Sequence, residues 1–77
     1  MLPVQCKMAR TALGLGVREL AKAASVSPNT IARLERGEDM REQTVASIRA
    51  ALEAAGVEFI AENGGGAGVR LRKPAGG

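Results

Sequence analysis

Apolar positions between residues 1 and 56 recur at helical spacing, in four short runs divided by glycine and serine. Cys6, Ala9, Arg10 and Leu13 share one face of a first run, about Pro3 to Leu13. Pro3 suits a first turn, where its missing N–H costs little. Gly14 and Gly16 break the pattern. A second run, about Val17 to Ala24, turns Leu20, Ala21 and Ala24 inward, and Ser25-Val26-Ser27 follows as a turn with Val26 as a buried plug. The third run has the clearest start. Ser27 can cap free backbone N–H groups, and Pro28 at the first helical position has its φ preset. Ile31 and Leu34 form its inner stripe and Gly37 its stop. Glu38 to Glu42 reads as a polar loop, and a fourth helix spans about Gln43 to Ala55, with Val45, Ile48 and Leu52 on one face and Gly56 at its end.

The period then changes from 3.6 to 2. In Val57-Glu58-Phe59-Ile60-Ala61-Glu62 the odd positions are apolar, and Gly68-Val69-Arg70-Leu71-Arg72 alternates again after a glycine-rich turn. This predicts a β-hairpin. Setting Ala61 opposite Val69 brings Phe59 to Leu71 and Glu58 to Arg72, with apolar pairs on one face and opposite charges on the other. The glycines read as a loop and not a phosphate cradle, because no helix follows them. Lys73 to Gly77 is expected to fray. An isolated hairpin is marginal in water and has two open edges, so a symmetric homodimer through Val57, Phe59, Ile60, Val69 and Leu71 is expected. The division that follows is residues 1–56 as a helical domain, 57–73 as a hairpin for dimerisation and 74–77 as a disordered tail.

Composition narrows the class. Seventy-seven residues make one small domain, and the 45% hydrophobic content owes much to alanine, with Phe59 the only aromatic. The core must be thin, aliphatic and helical. No apolar run approaches the ~20 residues of a membrane span, and MLPVQCKMAR lacks the features of a secretory signal. The single Cys6 excludes an internal disulfide, so a cytoplasmic location is expected. Net charge is +3, but its distribution says more. Residues 1–36 carry six basic and two acidic side chains, residues 37–63 two basic and six acidic, and the remainder three basic. Positive charge thus gathers on GVRELAKAASVSPNTIARLERG, residues 16–37, which reads as helix, tight turn, helix. A phosphate-facing surface requires such a concentration, and double-stranded DNA becomes the leading partner.

The same residues carry a resemblance. Leu13-Gly14-Leu15, Glu19-Leu20-Ala21, Val26-Ser27, Thr30-Ile31 and Leu34-Glu35-x-Gly37 resemble the Cro and phage-repressor type of helix-turn-helix protein, the XRE family, over about Val4 to Leu52. The resemblance implies a mainly α, lambda-repressor-like domain of four helices, here with a C-terminal β-hairpin. Its third helix would lie in the major groove, with the second across the backbone. It places base contacts on Ser27, Pro28, Asn29 and Arg33. Reading the residues alone leaves Pro28, Asn29, Ala32, Arg33 and Arg36 outward on that helix, with Asn29 suited to adenine and Arg33 to guanine. Backbone contacts are expected from Arg18, Lys22, Thr30, Arg36, Arg41 and Thr44. The resemblance also implies a partly buried ion pair between Arg10 and Glu35. Val17 stands where the family often has a phosphate-touching Gln, and Ser25 where it often has Gly, so either Ser25 adopts a less comfortable φ or the turn differs slightly.

Catalysis has little to build on. There is no His, Cys6 faces the core, and neither a metal site nor a cofactor is expected. The acidic Glu38, Asp39 and Glu42 read as a solvated loop, and Arg49 with Glu53 as an ordinary helix-surface pair. The expected function is sequence-specific binding of a palindromic operator by a dimeric repressor or autoregulator, on the nucleoid when bound. The alternative is an antitoxin or other module that masks a protein partner, its basic last strand adding to the partner's sheet. A third is an architectural DNA binder.

Overall fold

In a computed structural model that describes residues 1–72, four helices precede a two-stranded antiparallel hairpin. The helices are α1 (Pro3–Ala12), α2 (Val17–Ala24), α3 (Pro28–Glu35) and α4 (Glu42–Ala54), and the strands are β1 (Val57–Ile60) and β2 (Gly68–Leu71). The expected fraying of Lys73 to Gly77, and Lys73 as the last hairpin residue, fall outside the described residues.

Local chemistry sets the helix boundaries. Leu2 N–H donates to Gln5 Oε1 at 2.7 Å, and Gly16 N–H to Glu19 Oε1 at 2.9 Å, so α1 and α2 each begin with a side chain reaching back to an orphan donor. At the start of α3, Ser27 Oγ accepts from Thr30 N–H at 3.2 Å, ahead of Pro28. Gly37 ends α3 at φ +88°, which a residue without Cβ adopts freely, and Glu38 N–H then bonds Arg33 C=O at 3.1 Å. Ser25 does the same job after α2 at φ +59°, ψ +41°, where an L side chain pays steric strain.

Cys6, Ala9, Leu20, Ala21, Ala24, Ile31, Leu34, Ile48, Leu52 and Val57 form one buried cluster drawn from all four helices and β1. Val26 is half-buried and packs against it. Small side chains, Ala9 on α1 and Ala21 and Ala24 on α2, fill part of this core in a chain with one aromatic. Among the described residues, no helix is long and apolar enough to cross a membrane.

The hairpin register differs from the expected one. Val57 pairs with Leu71, Glu58 with Arg70, Phe59 with Val69 and Ile60 with Gly68, a slip of two residues. A slip of two preserves the faces, so Phe59 and Val69 still share the inner side, while Glu58 meets Arg70 at 2.8 Å instead of Arg72. Three contacts hold this register. Gln5 Nε2 donates to both Ile60 C=O (3.1 Å) and Gly68 C=O (3.0 Å), clasping the last pair. Glu62 accepts from Gly64 and Gly66 N–H at 2.8 and 3.0 Å, shaping the loop. Arg72 N–H continues the pairing to Gly56 C=O at 2.7 Å, while its guanidinium reaches Glu53 C=O.

The expected dimer residues separate accordingly. Val57 is 0% exposed in the single chain, so it belongs to the chain's own core and has no surface to offer a second copy. Phe59 and Val69 pack on that core, and the Arg49 guanidinium lies 5.1 Å from the centre of the Phe59 ring. Ile60 is half-buried, and Leu71 is 54% exposed.

Candidate nucleic-acid interface

With Ile31 and Leu34 in the core, α3 turns Pro28, Asn29, Arg33 and Arg36 to solvent, with Ala32 half-buried. Asn29 makes no side-chain hydrogen bond among the described residues, so its amide is free to donate and accept together. Ser27 is exposed too, but its hydroxyl caps the helix and lies 2.9 Å from Thr30 Oγ1. Ser27 and Thr30 therefore hold each other at the start of α3.

Beside this face runs an open, mostly polar groove of about 520 Å³. One wall is Val26, Ser27, Thr30 and Arg33, and the other is Asp39, Met40, Arg41 and Thr44 from the α3–α4 connection and the first turn of α4. The fold thus gathers Ser27, Thr30, Arg33, Arg41 and Thr44 from separate stretches of chain. Arg41 stands at the N-cap of α4, whose first N–H groups have no side-chain acceptor. Arg18 and Lys22 are exposed on α2, outside this groove.

On the opposite side of α3, Glu35 reaches inward. Its Oε2 lies 2.9 Å from Arg10 Nε, and its Oε1 2.9 Å from Arg10 Nη2, a bidentate pair whose side chains are only 16% and 11% exposed. Arg10 Nη1 also donates to Leu15 C=O at 3.3 Å, and the Cys6 thiol donates to Glu35 Oε2 at 3.4 Å. The Arg10 hydrogen bonds hold the Glu35 carboxyl below its usual range, although burial opposes them. Burial, reinforced by the Glu35 charge, pushes the Cys6 thiol up to about 12, so it stays protonated and unreactive. This cluster ties α3 to α1 and so fixes which side of α3 faces out.

One side chain at this surface escaped the sequence reading. Glu38 lies exposed in the loop between α3 and α4 but is not free. Its Oε1 accepts from Arg33 Nε at 2.9 Å, and its Oε2 from Arg36 Nε and Nη2 at 3.2 and 2.9 Å. The Arg33 hydrogen bond, then those of Arg36, lower its carboxyl pKa. Among the described residues, no group of three or more His, Cys, Asp and Glu side chains comes together as a metal site.

A search of curated proteins finds no match to this chain. The sequence profile of the helix-turn-helix domain matches residues 5–59, from the buried Gln5 to the first strand of the hairpin, and so includes the whole of α2, its turn and α3. With most of its length under that profile and an outward α3 beside a polar groove, the chain belongs to the helix-turn-helix domain family of DNA-binding domains.

Proposed function

We propose that this protein is a sequence-specific double-stranded DNA-binding transcriptional regulator, a repressor or autoregulator that binds a palindromic operator as a dimer. The observation that carries the reading is the outward face of α3, with Asn29 and Arg33 exposed alongside a groove lined by Ser27, Thr30, Arg41 and Thr44. A single helix fits the major groove, where each base pair shows its own donor and acceptor pattern. Asn29 pairs with adenine and Arg33 with guanine, while Pro28 offers an apolar surface to a thymine methyl. Ser27 sits at the same end, with most of its bonding capacity spent on the cap. Arg41, Thr44, Thr30 and the free N–H groups opening α4 hold phosphates on one side, and Arg18 and Lys22 those beyond it, with Arg36 held partly back by Glu38.

One such helix reads too few base pairs to bind tightly alone. Residues 1–56 act as the DNA-binding part and the hairpin as the contact between copies, through Leu71, Ile60 and the strand edge, setting half-sites about one helical turn apart. Sedimentation at micromolar concentration should then report a dimer, and a monomer would remove the palindrome from this account. The decisive experiment is selection of duplexes from a randomised pool. One enriched, palindromic site is expected, and exchange of Arg33→Ala should weaken binding to it by about 1–3 kcal/mol and relax one position. No enrichment would refute sequence-specific regulation. A protein-masking role has one observation in its favour, the exposed Leu2, Val4 and Leu71, and a chain that binds no duplex at low salt would favour it.

A further inference from the structure

Glu38 places a negative charge against the surface that would meet phosphates, and it uses its two arginines unequally. Arg36 commits both donors along one edge of its guanidinium, Nε and Nη2, to Oε2. Arg33 commits only Nε, and its terminal Nη1 and Nη2 make no hydrogen bond among the described residues. A guanidinium is a rigid planar fork, so fixing Nε fixes the direction of the two terminal donors. Those two remain able to meet the paired acceptors of a guanine edge. Arg36 is more heavily engaged: its Nε–Nη2 edge is spent on a carboxylate whose charge offsets its own pull on a phosphate, a contact that carries no sequence information.

We infer that Glu38 is a positioning residue that sets DNA specificity, bracing Arg33 for base reading while weakening the pull of Arg36 on phosphates. The inference rests on the reading of α3 as the base-reading helix. Contacts to DNA of any sequence are weakened, because the Glu38 carboxylate offsets the charge of Arg36 and repels the backbone nearby. Contact with the right base keeps its strength, because the Arg33 side chain is ordered before DNA arrives. Gly37 makes the arrangement possible, since its φ of +88° folds Glu38 back over the end of α3.

The test uses the full chain as wild type, Glu38→Gln, Arg36→Gln and the double variant. Binding is measured by fluorescence anisotropy between 50 and 300 mM KCl. Two duplexes are compared, the one enriched from a randomised pool by the wild type and a scrambled version of it. Glu38→Gln should bind the scrambled duplex about 2- to 30-fold more tightly, the range that two exposed ion pairs span. Its dependence on salt should steepen by up to about one unit of logarithmic slope. The preference for the enriched duplex should fall at least about threefold, and Arg36→Gln should cancel most of the gain on scrambled DNA. Equal tightening on both duplexes would overturn the inference, since Glu38 would then act as bulk charge alone. Unchanged binding to both would overturn it as well. A wild type that enriches no sequence would overturn the assignment of α3 first and this inference with it. Unchanged thermal melting of Glu38→Gln separates these outcomes from misfolding.

Discussion

The Arg10–Glu35 pair offers a sharp test of how this small core is held. Exchange of Arg10→Met keeps the length of the side chain and removes the guanidinium, leaving an enclosed carboxylate whose nearest remaining partner is a neutral thiol. An exposed ion pair contributes at most about 1 kcal/mol, whereas breaking a buried one costs about 3–5 kcal/mol. Side-chain exposures of 16% and 11%, with two hydrogen bonds of 2.9 Å, place this pair nearer the buried limit. A loss of about 2–4 kcal/mol is expected. For 77 residues total stability is roughly 4–12 kcal/mol, so the single change removes at least about a sixth of it. The double variant Arg10→Met, Glu35→Met leaves no charge stranded and should cost less than about 1.5 kcal/mol. Urea unfolding followed by helical circular dichroism at pH 7 measures all four corners of the cycle.

A pH series sharpens the same test. In the wild type the Glu35 carboxyl lies below its unfolded value near 4.3. Its contribution is therefore complete above pH ~4.3 and is lost as pH falls through the lower folded value. In Arg10→Met burial is opposed only by the Cys6 thiol and the Lys7 charge, so the folded value rises, acid relieves part of the penalty, and the gap between wild type and variant narrows from pH 6 to pH 3. A single-variant cost under 1 kcal/mol, a double variant as costly as the sum of the singles, or a gap that does not narrow would each refute this reasoning.

Three further outcomes follow from individual contacts. Exchange of Gln5→Met removes the donor shared by Ile60 and Gly68 C=O and should cost about 1–3 kcal/mol, with hydrogen exchange accelerating in β1 and β2 more than in α2 and α3; uniform acceleration would contradict the clasp. Exchange of Ser25→Gly relieves the left-handed strain at φ +59° and should stabilise by about 0.5 kcal/mol after the extra entropy of glycine, measured by urea midpoint; destabilisation would count against strain at that turn. The Cys6 thiol, raised to about 12 in the fold, contributes stability that is complete below its unfolded value near 8.5–9 and lost as pH rises toward 12. The wild type should accordingly lose about 1.4 kcal/mol per pH unit relative to Cys6→Ala between pH 9 and 10.5, and parallel curves would show the thiol to be uncoupled from folding.

The helices were legible because their signals are local. Ser27 and Pro28 open α3, Gly37 closes it, and neither depends on any residue outside that stretch. Helical spacing likewise pointed to Leu20, Ala24, Ile31, Leu34, Ile48 and Leu52 as core, and all are buried. The hairpin register was not legible, because alternation constrains parity and nothing more. Two registers that differ by two residues place the same side chains on the same faces. The most distant of the contacts that hold the observed one is Gln5, 55 residues before Ile60 and 63 before Gly68, whose amide spans one cross-strand pair. On α1 alone that glutamine is an ordinary polar residue, and its burial makes sense only against the folded hairpin.

The same division between local and distant causes runs through the candidate interface. The outward face of α3 can be obtained by subtraction: once Ile31 and Leu34 are taken inward, helical geometry leaves Asn29, Arg33 and Arg36 outside. What those side chains do before a ligand arrives cannot be obtained that way. Glu38 belongs by composition to an acidic loop, and its charge argues against DNA. Its role appears only when the reversal at Gly37 carries it back over the end of α3, where its carboxylate meets two arginines three residues apart. Net charge by segment treats Arg33 and Arg36 as equivalent cations and Glu38 as a separate anion. The hydrogen bonds make them one unit, in which Arg33 spends Nε alone on the carboxylate and Arg36 spends both Nε and Nη2. A count of positive charges on this surface therefore overstates the number of arginines ready for phosphate, and the effective charge facing DNA is set by a residue outside the helix that would read it.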